Sequence, residues 1–265
     1  MVDPEKDLLA KTKSSEIYKA MSGQDVVVLK IPMAGTYRCS ELEYLRLSRH
    51  KNIVKLLGVI QNEPYKNAMV FEYMAKGDLA NYLMKNNYTG ASLNPARESI
   101  LLHIFRGLIF LHAMNLVHRD IKCNNIFLTS DLTAKIGDFG MVREVDPKTG
   151  VYASASTKPA GTYGYIAPEV FPRFPDETCS YSQKVDIYGL GMVILSVGSD
   201  NLPDLYPDAG DDREKILEKN RKHELPKIGA GVSSFTKDTF LLCFNRKPEN
   251  RPSAEKLLDR YKNRR

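Results

Sequence analysis

The sequence predicts an α+β fold in two lobes, a small sheet-rich lobe followed by a larger helical one, on three observations. Up to about Tyr73 the apolar residues come in short β-branched and aromatic runs broken by turn residues. Beyond Gly77 they recur at helical spacing. The 265 residues are 43% hydrophobic and 26% charged, enough to close a core without disulfides or a structural metal. A length of this order suits one large domain or two intimate lobes, placed at residues 1–74, hinge included, and 75–265.

In the first lobe, residues 15–21 and 25–31 flank the turn dipeptide Ser22-Gly23 and read as a hairpin. Residues 36–49 set Tyr37, Leu42, Leu45 and Leu47 among charges and read as an amphipathic helix. Residues 56–60 and 68–72 read as two further strands. In the second lobe, Ile100, Ile104, Leu108 and Leu111 mark a core helix over 94–113. The nearly all-apolar stretch 185–197 reads as the buried centre of that lobe, and 211–221, 233–244 and 253–261 complete the helices. There is no internal repeat and no low-complexity segment.

The net charge of +6 is spread along the chain and interleaved with acids. The densest basic run, Arg260, Lys262, Arg264 and Arg265, reads as a solvated helix end where the dipole favours cations. No nucleic-acid partner is expected. Cys39, Cys123, Cys179 and Cys243 are widely separated without CxxC spacing, which excludes a zinc ribbon or disulfide framework and fits reduced thiols in the cytoplasm or nucleus. The N-terminal stretch is too charged for a secretory h-region. The most apolar stretch, 101–117, is broken by Arg106 and two histidines and is short for a bilayer span, so no membrane insertion is expected.

The chemistry-bearing residues cluster in the second lobe. His118-Arg119-Asp120-Ile121-Lys122-Cys123-Asn124-Asn125 follows the long helix; Asp138-Phe139-Gly140 follows a strand-like run; Ala167-Pro168-Glu169 closes a polar segment; Asp186 and Arg251 come later. Their order and spacing resemble the protein kinase family over essentially the whole chain. The resemblance implies the bilobal kinase fold, with a five-stranded sheet and one helix in the small lobe, and transfer of the γ-phosphate of Mg·ATP to protein hydroxyls. That reaction requires positioning and neutralisation of spread negative charge more than covalent help.

The residue roles follow from the same resemblance. Asp120 orients the acceptor hydroxyl and takes its proton. Asn125 and Asp138 supply hard oxygen ligands to Mg²⁺. Lys122 lies near the transferred phosphate. In Val27-Val28-Leu29-Lys30, the resemblance implies that Lys30 holds the α- and β-phosphates and that its helix partner is Glu41, which stands at the family distance ahead of His50-Lys51-Asn52-Ile53-Val54. Glu43 is the competitor, and because residues two apart on a helix point about 200° apart only one of them can face Lys30. Phe71 stands behind the adenine site, main-chain groups of Glu72 and Met74 meet its edge, and Ile17, Val28 and Phe127 complete the nucleotide pocket. Asn124 is the bland neighbour of Asn125, His118 is a packing residue, and Glu169 and Arg251 form a structural ion pair. The short tether from Lys30 to Glu41 is expected to restrain outward swing of the helix.

Two departures from the family pattern keep a second reading open, a pseudokinase or weakly active scaffold. The stretch from Ala10 to Ile17, which corresponds to the glycine-rich phosphate lid, contains no glycine. Lys11 and Lys13 either add charge there or are simply solvated. Val28 replaces the usual alanine against the adenine face, and overpacking of this kind costs about 1–3 kcal/mol.

The polar stretch 141–166 reads as an activation segment. An upstream kinase acting on Ser154, Ser156 or Thr157 would place a phosphate opposite Arg119 and Arg143. Thr162 and Lys122 point to serine or threonine acceptors, and the run Gly161-Thr162-Tyr163-Gly164-Tyr165-Ile166 is most like the tyrosine-kinase-like branch.

Overall fold

A computed structural model describes residues 6–33, 35–36, 39–86, 94–172, 174, 176–199, 206–210 and 212–264. The chain opens with β1 (Leu8–Lys11), β2 (Ser15–Ser22) and β3 (Asp25–Pro32), then α1 (Cys39–Leu47), β4 (Leu56–Val59) and β5 (Met69–Glu72). These strands form one antiparallel sheet in the order β1-β2-β3-β5-β4. The expected hairpin is β2–β3, in register from Ser15 opposite Pro32 to Ser22 opposite Asp25. Its turn uses Gly23 at φ +63°, a conformation glycine adopts without a Cβ clash.

The register fixes which side chains look into the cleft. Ile17 pairs with Lys30 across β2–β3, and Val28 pairs with Phe71 across β3–β5. Strand side chains alternate between faces, so Ile17, Val28, Lys30 and Phe71 share one face. On β3 that face is half-buried, whereas Val27 and Leu29 on the other are buried.

The second lobe begins with β6 (Gly77–Asp78) and α2 (Leu79–Lys85), whose first turn is capped by the Asp78 carboxylate accepting from the Asn81 N–H at 3.0 Å. Next come α3 (Pro95–Ala113), β7 (Leu116–Val117), β8 (Ile126–Leu128), β9 (Ala134–Ile136), β10 (Arg143–Glu144), β11 (Val151–Ala153) and β12 (Ser180–Ser182). Helices α4 (Lys184–Val197), α5 (Arg213–Lys222), α6 (Ser234–Cys243) and α7 (Ala254–Lys262) finish the lobe. Asn94 caps α3 and Pro95 occupies its first turn. Every residue of α4 from Val185 to Val197 is buried, as its nearly all-apolar run suggests.

The small-lobe helix is shorter than the sequence suggests. Its buried residues are Glu41, Leu42 and Leu45, while Leu47 is 63% exposed and does not belong to the apolar stripe. Tyr37, the predicted start of the 211–221 helix at Asp211, and Arg265 lie outside the described residues. The two-residue pairing of β10 with β7 and the three-residue pairing of β11 with β12 carry too few residues to show periodicity.

Close backbone approach on α4 anchors the loop that carries Asp120. A Cβ on Gly189 would stand 2.7 Å from the Ile121 carbonyl oxygen. We therefore expect Gly189→Ala to destabilise the domain by about 1–3 kcal/mol, as overpacked core sites do, measured by urea unfolding.

Candidate active site

The cleft between the lobes is built from three short segments. β3 supplies Lys30, α1 supplies Glu41, and the turn after β9 supplies Asp138. The Lys30 Nζ lies 2.6 Å from Glu41 Oε1 and 3.0 Å from Asp138 Oδ1. Glu41 is buried and Glu43 is exposed, so the helix selects the first of the two acids. Burial works to lower the Lys30 ammonium, but the charges of Asp138 and Glu41 outweigh it and hold Lys30 above its usual value. Partial desolvation in the cleft would likewise raise the half-exposed Asp138 carboxyl; Lys30, by charge and hydrogen bond, brings it below its usual value.

Asp138 sits at φ 56°, ψ 78°, a left-handed conformation that costs a non-glycine residue energy and clusters at functional sites. Three neighbours hold it there. Phe139 is 1% exposed and meets the His118 ring edge-on at 5.7 Å. His118 Nε2 lies 3.0 Å from the Gly137 carbonyl oxygen. The Phe127 ring packs on Gly137 so closely that a Cβ there would be 2.9 Å from its carbons. His118 is thus a packing and hydrogen-bonding residue, as its position in the motif suggested.

Asp120 is 8% exposed, and its carboxylate is gripped by three donors. Thr162 Oγ1 donates to Oδ1 at 2.7 Å, Asn125 Nδ2 to Oδ2 at 2.8 Å, and Lys122 Nζ lies 2.9 Å from Oδ2. Lys122 also donates to Thr162 Oγ1 at 2.6 Å. Asn125 is buried and Asn124 is exposed. With its Nδ2 on Asp120, the Asn125 side chain has its carbonyl oxygen left for another partner.

The loop holding Asp120 is fixed from below by Asp186 of α4. Its buried carboxylate accepts the N–H groups of His118 and Arg119, each at 2.8 Å, and meets His112 Nε2 at 3.0 Å. Arg119 itself has φ 67°. Glu169 and Arg251 form a two-pronged pair at 2.6 and 2.7 Å, and the arginine is buried.

The hinge is partly committed to the protein's own bonds. The Glu72 N–H donates to the Lys55 carbonyl at 3.2 Å, and its carboxylate takes the Lys135 ammonium at 2.7 Å. That pair was not foreseen, since Lys135 stands 63 residues away. Met74 is buried; its carbonyl accepts from Gly77 at 2.9 Å, and among the described residues nothing accepts its N–H. Ile17, Val28 and Phe71 come from the small-lobe sheet and Phe127 from β8 of the large lobe.

Arg119 is engaged within the protein by one carbonyl and two rings. Its Nε donates to the Met141 carbonyl at 2.6 Å, and its guanidinium lies 5.2 Å from the Tyr152 ring and 4.9 Å from the Tyr181 ring. These rings are brought together by the β11–β12 pairing, where Tyr152 faces Tyr181. Among the described residues no hydrogen bond joins Arg119 to Ser154, Ser156 or Thr157. Lys11, one of two lysines considered as extra charge for the lid, is paired with Glu16 at 2.7 Å.

Asp138 and Asn125 offer a carboxylate and an amide oxygen, a donor set that fits Mg²⁺, which keeps water and phosphate oxygens in its remaining positions. Among the described residues no three His, Cys, Asp or Glu form a metal cluster of their own.

A two-lobed fold with a lysine–glutamate–aspartate triad in the cleft and a clasped aspartate below it defines the class. The model of the protein kinase domain matches residues 9–261, and the chain belongs to that family. Among its relatives in Arabidopsis thaliana are the probable serine/threonine-protein kinase PBL4, 34% identical over 91% of this chain and 60% of the relative, and PBL18, 32% identical over 91% and 64%. The MDIS1-interacting receptor like kinase 1 is 33% identical over 82% of this chain and 22% of its own length. The chain therefore spans from about a fifth to under two thirds of these relatives' lengths.

The lowered Asp138 carboxyl has a consequence for acid stability. A carboxyl held below its ordinary value binds fewer protons in the folded than in the unfolded chain. Its contribution is present above the ordinary aspartate value of about 3.9 and is lost as pH falls through the lowered one. Urea unfolding of Asp138→Asn between about pH 5 and pH 3 is expected to show a shallower fall in stability than the unsubstituted protein.

Proposed function

We propose that this chain is a serine/threonine protein kinase domain that transfers the γ-phosphoryl group of Mg·ATP to protein hydroxyls. The observation that carries the proposal is the Lys30 ammonium held at once by Glu41 and Asp138, 2.6 and 3.0 Å away. A lysine fixed in this way is aimed at the space where the phosphates lie, and its charge is stabilised before they arrive. Ile17, Val28, Phe71 and Phe127 would enclose the adenine, with main-chain groups of Glu72 and Met74 at its edge.

Asp120 orients the acceptor hydroxyl and receives its proton. Lys122, already beside that carboxylate, offers positive charge to the transferring group. Asn125 and Asp138 would hold Mg²⁺, which neutralises phosphate charge when bound. Thr162, donating to Asp120, fixes the rotamer of the base and supports serine and threonine as acceptors. A cleft of about 1310 Å³ beside the activation segment, bordered by Lys158, Pro159, Tyr163, Phe171, Phe174 and Arg221, supports a polypeptide as the acceptor.

The scaffold reading rests on the glycine-free lid and Val28. The assembled triad argues for catalysis, because a molecule that only displays its surface has no need of a buried Glu41 paired to Lys30. No helix among the described residues is long and apolar enough to cross a membrane; with its free cysteines, the domain is proposed to work in the cytoplasm. Asp120→Asn is expected to lower phosphate transfer to a generic protein substrate by about 10²–10⁴-fold, the usual worth of a positioned base, with little change in ATP affinity. Transfer unchanged in that variant refutes the proposal.

The regulatory part of the proposal is an upstream kinase acting on the activation segment. Ser156 and Thr157 are exposed and Ser154 is half-buried. A phosphate there would have to draw Arg119 away from its two tyrosine rings. Alanine at all three positions is expected to reduce the activity of protein taken from its native cell; unchanged activity removes this part of the reading.

A further inference from the structure

The phosphate lid of this chain closes without glycine, and the way it does so assigns a role to a residue far from the motifs. The connection between β1 and β2 contains no residue at positive φ among those described, so its turn does not need glycine. Thr12 makes the turn instead. Its N–H donates to the Ser15 carbonyl at 2.9 Å, and its Oγ1 accepts the N–H groups of Ser14 and Ser15 at 3.2 and 2.9 Å. Ser15 is 2% exposed. This side-chain turn replaces the flexible lid with a stiff one.

A stiff tip can be held from outside, and the carbonyl of Ser14 is. It accepts the Met33 N–H at 2.9 Å and the Thr36 hydroxyl at 2.6 Å. The same hydroxyl lies 2.7 Å from the Met33 carbonyl, so one proton serves two oxygens three residues before α1 begins. Ser14, Ser15 and Thr36 line a cleft of about 150 Å³ together with Lys30, Asp120 and Asp138. The tip therefore faces the residues that meet the phosphates, and Thr36 stands between that tip and the helix carrying Glu41.

We infer that Thr36 is a positioning residue, whose hydroxyl clamps the Ser14 carbonyl and thereby holds the glycine-free lid over the triphosphate in step with helix α1. This inference rests on the phosphotransfer reading. A lid of glycines reaches phosphate by flexing; this one reaches it by being set in place before the nucleotide arrives. The hydroxyl matters through the lid and not through contact with the reacting atoms, so its loss weakens nucleotide capture more than turnover.

The test compares Thr36→Val, which keeps the shape and removes the hydroxyl, with Thr36→Ser, which keeps the hydroxyl. Deuterium exchange of a peptide covering residues 8–18 reads the clamp without any nucleotide. Thr36→Val is expected to exchange faster there and to raise KM for ATP roughly three- to tenfold, the worth of one hydrogen bond, with kcat changed by less than about twofold. Thr36→Ser is expected to restore both. Exchange unchanged in Thr36→Val overturns the inference, and so does faster exchange with unchanged KM. Should the unsubstituted protein show no Asp120-dependent transfer, the phosphotransfer reading fails, and the dissociation constant of Mg·ATP measured by calorimetry takes the place of KM. A constant equal in the two proteins, or no binding at all, then overturns the clamp.

Discussion

The ion pair that ties β3 to α1 and to the turn after β9 is the constraint on which the rest of the architecture depends. Lys30 cannot satisfy Glu41 and Asp138 together unless the sheet, the helix and the large lobe are in one arrangement. Its partners differ in exposure, Glu41 being 9% and Asp138 48% exposed at the side chain. The inner contact is therefore shielded from salt and water, and the outer one is screened. On the proposed reading, the asymmetry would let Asp138 pass to a cation while Glu41 is kept. The short chain between Lys30 and Glu41 agrees with this closed arrangement of the helix.

A second constraint works upward from α4. Asp186 binds two consecutive backbone N–H groups, which lets Arg119 occupy a left-handed conformation and turns Asp120 into the cleft. Gly189, one turn along the same helix, admits the Ile121 carbonyl to its surface. A buried carboxylate and a missing Cβ thus place the irregular stretch 118–122 that carries Asp120. Buried polar groups are costly unless bonded; here both oxygens of Asp186 are bonded, and their partners are the backbone that most needs holding.

Much of this was legible in the sequence, and the reasons are physical. The two lobes could be read because strand and helix periods differ, and because 185–197 is apolar nearly throughout. Helix geometry admits only one of Glu41 and Glu43, and Glu41 could be chosen by its family spacing ahead of His50. Asp120, Asn125, Lys122 and Thr162 could be grouped by their resemblance to a family pattern, although the distances among them could not. What escaped were contacts between residues distant in sequence with no periodic signal, such as Glu72 with Lys135, Thr36 with Ser14, and the tyrosines beside Arg119. The exposure of Leu47 has a related cause: it fits an apolar stripe by type, but it is the last residue of α1 and stays exposed. The missing lid glycines were visible at once, whereas the hydroxyls that take over the turn became visible only in three dimensions.

The packing of Arg119 against the adjoining rings of Tyr152 and Tyr181 changes the physical character of the activation segment. An arginine braced by two ring faces is held by quadrupole attraction and apolar contact, alongside one bond to the Met141 carbonyl. Unlike an arginine clasping a phosphate, such a brace draws little on long-range Coulomb forces, so dissolved ions have little to shield. The segment is fastened by geometry that ionic strength scarcely touches, and aromatic surface does there what mobile charge would otherwise have to do.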